Sequence, residues 1–170
     1  MIENRATIRK LAIFVSALAV CMALFHLYTS GFGRFPALQQ RSIHLAFALI
    51  LTFFIYPFTK KRNRKGFMVL NIIFSIGAIL SCGNITFVIY YVLYERAGAA
   101  TTADIWLGII LILLVLDMTR RIMGWTLPII TLVFIAYGFL GPYLPIPYIS
   151  HPGMDISRFI SYEYLSTEGL

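Results

Sequence analysis

The stretch Leu11–Ser30, LAIFVSALAVCMALFHLYTS, contains no Asp, Glu, Lys or Arg, and none follows until Arg34. Twenty such residues, at 1.5 Å of rise each, make a helix of about 30 Å, the thickness of a bilayer's hydrocarbon core. Arg5, Arg9 and Lys10 stand just before it. A secretory signal peptide also has a basic start, but its apolar core is shorter and ends in a small-residue cleavage site. Leu27-Tyr28-Thr29-Ser30 offers no Ala-x-Ala, so the stretch is expected to stay in place as a first membrane span.

The rest of the chain repeats this pattern. Of 170 residues, 59% are hydrophobic and 12% charged. A soluble domain carries about 25% charged residues, so this chain has too few polar groups to cover a water-facing surface. A soluble enzyme and a disordered tail are excluded on that ground. A second apolar stretch runs from Ser42 to Thr59, with Pro57 as a terminator near its end. The third, Gly66–Tyr94, holds Asn71, Gly77, Ser81, Gly83 and Asn84, small or mildly polar residues that let helices approach closely in lipid. At 29 residues it must tilt, kink or run past the membrane. The fourth, Ile105–Leu116, has only twelve residues between Asp104 and Asp117. It reaches spanning length by extending back over Ala99–Ala103, and Asp117–Arg121 then interrupts. The fifth is Ile122–Leu140. Gly31, Gly33 and Pro36 mark a loop after the first span, and Gly141–Pro147 must be extended or turning. In Asp155–Leu165 the apolar residues Ile156, Phe159, Ile160 and Tyr164 fall at helical spacing behind a candidate N-cap, Asp155, which predicts a short helix at the membrane interface. The expected fold is therefore all-α: a polytopic membrane protein with about five transmembrane helices and one short interfacial helix.

Basic residues set the orientation, because cytoplasmic loops carry an excess of Lys and Arg. Lys60-Lys61-Arg62-Asn63-Arg64-Lys65 places five basic residues in six between the second and third stretches. With a cytoplasmic N-terminus and five crossings, Arg5, Arg9, Lys10, this block, Arg120 and Arg121 lie inside, and Arg34, Arg41, Arg96 and Arg158 lie outside. If the fourth stretch did not cross, Arg120 and Arg121 would move outside and Arg158 inside, a weaker bias. Five crossings are expected, with the proline-rich segment and the interfacial helix outside.

The formal net charge of +7 would suggest nucleic acid in a soluble protein. Here most basic residues lie between apolar stretches, where they orient spans, and no nucleic-acid partner is expected; the partner implied is membrane lipid. Cys21 and Cys82 both fall inside apolar stretches and read as small buried hydrophobes. No metal-ligand spacing, phosphate-binding glycine loop or catalytic constellation occurs, so neither an enzyme nor a cofactor is expected.

A few residues remain as candidates. His26 and His44 fall at similar depth on adjacent spans, where they would serve as haem ligands, as a proton relay, or as half-solvated interface residues. His151 is expected to be solvated. Asp117 and Arg121 are four apart on one helix face with Arg120 beside them; the cluster reads either as an inner gate or coupling-ion site, or as a paired helix terminus that pins the inner boundary. Pro128, following Gly124, would break a backbone hydrogen bond within a span, as in the interrupted helices of transporters, or make a tolerated kink. Tyr90, Tyr91, Tyr94, Trp106 and Trp125 sit where interfacial aromatic belts form. Glu95, Asp104, Asp155, Glu163 and Glu168 with Arg34 and Arg41 leave a mixed-charge outer face able to dock a partner.

One run is more specific. Asp117-Met118-Thr119-Arg120-Arg121-Ile122-Met123-Gly124-Trp125-Thr126-Leu127-Pro128-Ile129-Ile130, followed by Tyr137-Gly138-Phe139-Leu140-Gly141-Pro142-Tyr143-Leu144-Pro145, resembles the fused membrane component of the tripartite ATP-independent periplasmic (TRAP) transporters, in particular the TAXI type. His26–Gly33 and Tyr164–Leu170 extend the resemblance over nearly the whole chain. It implies a permease of the bacterial inner membrane that takes up organic acids, often dicarboxylates, by symport with a cation, usually sodium. It also implies a periplasmic substrate-binding protein as partner. Residues 1–100 would be a small-subunit-like scaffold of three spans. Residues 101–170 would supply two more spans, the proline-rich outer loop and the interfacial helix, leading into a large transport domain beyond Leu170. The substrate and ion sites of such transporters belong to that large portion, so no substrate-binding residue carries over. Two other functions stay open from the residues alone: a haem-bearing electron-transfer anchor using His26 and His44, and a non-transporting membrane assembly subunit.

Overall fold

A computed structural model describes residues 2–33, 35–56, 64–89, 95, 99–145 and 148–169. The chain is 82% helical and, among the described residues, has no strand. Its elements are α1 (Ile2–Gly31), α2 (Ala37–Ile55), α3 (Arg64–Asn84) continued by a π-helical turn (Ile85–Ile89), α4 (Thr102–Met123), α5 (Thr126–Leu140) with a 3-10 turn (Gly141–Tyr143), and α6 (Ile156–Leu165). Among the described residues, five helices are long and apolar enough to cross a membrane: Arg9–Gly31, Ala37–Ile55, Met68–Val88, Thr102–Met123 and Thr126–Tyr143. In lipid every backbone polar group must be satisfied within its own segment, which helices do and open strands do not. The protein is an all-α, multi-pass membrane protein.

Contacts between helix ends show that α2, α3 and α4 alternate in direction. Gln39 at the start of α2 donates to the Thr86 carbonyl just after α3 (2.8 Å), and Asn84 at the end of α3 donates to Asp104 at the start of α4 (3.2 Å). At the opposite end, Arg121 of α4 reaches Tyr56 after α2 (3.1 Å) and Asn71 in the first half of α3 (3.0 Å). We call these the histidine end and the arginine end. The three helices form the centre, with α1 against α2, α5 against α4, and α6 against α4 and the π turn. The core holds Leu49 and Phe53 of α2, Ala78 and Cys82 of α3, Ile85, Leu111 and Leu114 of α4, and Ile160, Tyr164 and Leu165 of α6. Large apolar side chains such as Leu24, Leu27, Ile73, Leu113, Val133 and Phe134 face outward. In water such a surface would aggregate; in lipid it is the ordinary exterior.

The fourth span departs from expectation. Of Ala99–Ala103 it takes in only Thr102 and Ala103, and Asp117–Arg121 does not interrupt it: α4 starts at Thr102 and runs to Met123. A capping box fixes the start, with Asp104 N donating to Thr101 Oγ1 (3.3 Å) and Thr101 N donating to Asp104 Oδ2 (3.0 Å). The charges near the other end are tolerated because they pair with one another. Gly124 then adopts φ +80°, the left-handed region that favours glycine, and its N–H donates to the Arg120 carbonyl (3.0 Å), ending the helix. The third stretch ends its α-helix at Asn84 and passes into the π turn Ile85–Ile89, and its end at 90–94 lies outside the described residues.

Cys82 is buried as expected, but Cys21 is exposed, because it lies on α1, which packs chiefly against α2. Asp155 caps α6 by accepting from Arg158 N (2.9 Å). At ten residues α6 is too short to cross. It docks where Gly108 of α4 has no side chain: a Cβ there would lie 2.8 Å from Ile160 Cγ2. The Lys60–Lys65 block lies largely outside the described residues, as do Arg34, Pro57, Tyr90, Tyr91, Tyr94, Arg96, Pro147 and Leu170.

Candidate functional site

At the arginine end the sequence candidates come together. Asp117 Oδ1 accepts from Arg120 Nη2 (2.6 Å) and Nε (3.1 Å), and Oδ2 accepts from Arg121 Nε (2.7 Å). The i,i+3 and i,i+4 spacing places all three on one side of α4, and two cations in a helix's last turn also face the negative end of its dipole. The Arg121 side chain is fully buried and that of Asp117 mostly buried. Its Nη1 faces the Phe53 carbonyl (3.4 Å), the Tyr56 carbonyl (3.1 Å) and Asn71 Oδ1 (3.0 Å). The Phe53 and Tyr56 carbonyls belong to the C-terminal end of α2, where helices leave acceptors unsatisfied. The guanidinium also lies 4.9 Å from the Phe53 ring centroid and 5.6 Å from that of Phe74, within cation–π range. Arg120 lies 5.4 Å from the Trp125 ring centroid. Arg121 therefore ties α2, α3 and α4 into one clamp, and both oxygens of Asp117 are engaged in holding it.

Pro128 is buried in the first turn of α5. The first four N–H groups of a helix have no acceptor within it, so proline breaks no hydrogen bond there. It lies in the first turn of a helix that starts after Gly124 rather than inside a continuous span, which replaces the expectation of a kink or break within one.

At the other end His26 of α1 and His44 of α2 meet, with His26 Nε2 2.9 Å from His44 Nδ1 and the rings edge to face at 5.0 Å. One nitrogen must carry the proton and the other accept it. To hold one haem iron between them, both rings would have to turn a nitrogen toward the iron instead of toward each other. The pair as placed is a hydrogen bond joining α1 to α2. His151 is held rather than merely solvated: it accepts from Gly153 N (3.0 Å), its Nε2 lies 3.1 Å from the Tyr137 carbonyl, and its ring lies against that of Tyr137. Among the described residues no three or more His, Cys, Asp or Glu side chains are grouped to hold a metal ion.

A second polar cluster escaped the sequence reading. Tyr164 of α6 donates to the Ser81 carbonyl (2.7 Å) and accepts from Asn84 (3.3 Å), which also donates to buried Asp104. Beside it Ser42 and Thr86 share a hydrogen bond (2.8 Å), and Thr86 donates to the Cys82 carbonyl (2.9 Å). Burial pushes the Tyr164 phenol above its ordinary pKa, the hydrogen bond from Asn84 opposes that, and the nearby Asp104 charge adds to it. The available signals were Thr101-x-x-Asp104, a capping-box spacing, and a polar run at Ser81–Asn84 inside an apolar stretch. Neither says that Tyr164 would complete the cluster.

A cleft of about 1100 Å³ opens between α2, α4 and α5 near the histidine end. Leu45, Leu111, Val115, Phe134 and Ile135 wall it, and His26, Arg41, His44, Glu163 and Glu168 supply polar groups. Comparison with protein-family models, with curated proteins and with solved structures gave no match.

Proposed function

We propose that the chain is the scaffold portion of a TRAP-type secondary transporter of the bacterial inner membrane, with its N-terminus and arginine end cytoplasmic. In this reading it supports uptake of organic acids driven by a cation gradient, together with a large transport portion and a periplasmic substrate-binding protein. The observation that carries the reading is the run Asp117–Ile130, which resembles the TAXI-type permease. The packing supports a scaffold role. Buried polar groups, including Arg121, Asp104 and Tyr164, are engaged in joining helices, as suits a part that stays fixed while another moves. The Asp117–Arg120–Arg121 cluster, by sequence either a gate or coupling-ion site or a paired helix terminus, is read here as an anchor of the second kind.

The test is reconstitution. Proteoliposomes carrying this chain, a large membrane portion and a binding protein from the same source should accumulate a labelled carboxylate only when all three and a cation gradient are present. Uptake by this chain alone would contradict the scaffold role.

A further inference from the structure

The cleft beside α2 and α4 is not used by this proposed role, and its chemistry is graded. Its volume of about 1100 Å³ exceeds the usual range for small-molecule pockets, roughly 300–1,000 Å³. Much of its lining is hydrocarbon, from Leu45, Leu111, Val115 and Ile135, with the outward-facing Phe134 at its edge. These residues lie within candidate spans, the depth at which lipid chains run alongside a membrane protein. Its polar groups carry both signs: Arg41 and the hydrogen-bonded His26–His44 pair on α1 and α2, and the carboxylates of Glu163 and Glu168 on and after α6. The Arg41 guanidinium is positioned at this rim by Nη1 donating to the Thr167 carbonyl (2.6 Å).

We infer that this cleft binds one membrane phospholipid with an amine headgroup, of the phosphatidylethanolamine type. The acyl chains lie along the walls of α4 and α5. The phosphate is oriented toward Arg41 and the histidine pair, which supply donors to its oxygens. The ammonium is oriented toward Glu163 and Glu168, which accept from it. A purely anionic headgroup would leave the two carboxylates facing like charge, and a quaternary amine would have no N–H to donate. The mixed rim therefore selects a phosphate and a primary amine on one apolar body.

The experiment is native mass spectrometry of the purified full chain, delipidated in detergent and titrated with phosphatidylethanolamine, phosphatidylglycerol or phosphatidylcholine of identical chains. The chain should retain one phosphatidylethanolamine about tenfold more readily than either competitor. The double variant E163Q/E168Q should lose the preference over phosphatidylglycerol. A steric variant, G138F, fills the cleft at a position where a Cβ meets nothing within 4 Å. It should keep the wild-type helicity by circular dichroism and abolish lipid retention. Equal retention of all three lipids, preference for phosphatidylglycerol, unchanged binding in folded G138F, or a lipid-free dimer closed over the cleft would each overturn the inference.

Discussion

Arg121 Nη1 lies 3.0 Å from Asn71 Oδ1, fastening α4 to α3 at the level where α2 ends. The same nitrogen faces two carbonyls of α2, and the guanidinium's Nε is held by Asp117. A buried cation costs least where its charge is countered and its donors find acceptors, as Arg121 Nε and Nη1 do here. The relationship therefore explains how a helix with three charges in its last two turns can still be a membrane span.

Removing Asp117 should expose this dependence. D117A leaves Arg121 buried without its counter-charge, a change that costs about 3 kcal/mol when one partner of a buried pair is lost. In detergent the variant should melt roughly 6–12 °C below the wild type. D117N, which keeps an acceptor oxygen, should fall between them. R121K should also lose stability, because an ammonium cannot span the fork of acceptors that a guanidinium meets. Melting curves followed by circular dichroism check this; unchanged curves for D117A would show that the clamp contributes nothing.

Gly108 should be the hinge point for α6. In G108V the added atoms collide with Ile160 and Tyr164, whose nearest atoms already lie 2.8 and 3.2 Å from a single Cβ. Overpacking of this kind costs about 1–3 kcal/mol, and here it falls on one short helix. Trypsin should cut at exposed Arg158 several times faster in the variant, while the melting of the remaining helices changes little. Equal cleavage rates would mean that α6 is not held by this contact.

Tyr164 predicts a pH dependence. Burial raises its pKa in the folded protein above the value of about 10 that it has when unfolded. Below pH 10 both states hold the proton and the stabilisation is complete. As pH rises beyond that, the unfolded chain loses the proton first, so stability falls. Y164F should be less stable at pH 7 by about 1–2 kcal/mol, having lost the hydrogen bond to the Ser81 carbonyl. It should also show a shallower loss between pH 10 and 11. Denaturation in micelles at both pH values is the check; parallel slopes for the two proteins would contradict it.

The spans were legible because length and the absence of charge suffice to mark a helix in lipid. What was not legible is where charge is neutralised by folding. Asp117–Arg121 looked like an interruption, since the Arg121 partners at Phe53, Tyr56 and Asn71 are 50 or more positions away in sequence. Pro128 read as a kink or break within a span because Gly124 was not taken as a helix end; glycine followed four residues later by proline marks a stop and a restart. The His26–His44 pairing followed from equal depth on adjacent spans, but its 2.9 Å hydrogen bond did not. The Tyr164 cluster depends on α6 folding back over α4, a tertiary event that Gly108 permits and no local pattern announces.

The crossing of α4 is the claim on which the architecture rests, and cysteine accessibility tests it directly. In a C21A/C82A background, A99C and W125C place single thiols just outside the two ends of that helix. A membrane-impermeant maleimide applied to intact cells should label A99C, and should label W125C only after the membrane is permeabilised. Labelling of both from the same side would mean that α4 does not cross, and the alternation of the helices around it would be wrong.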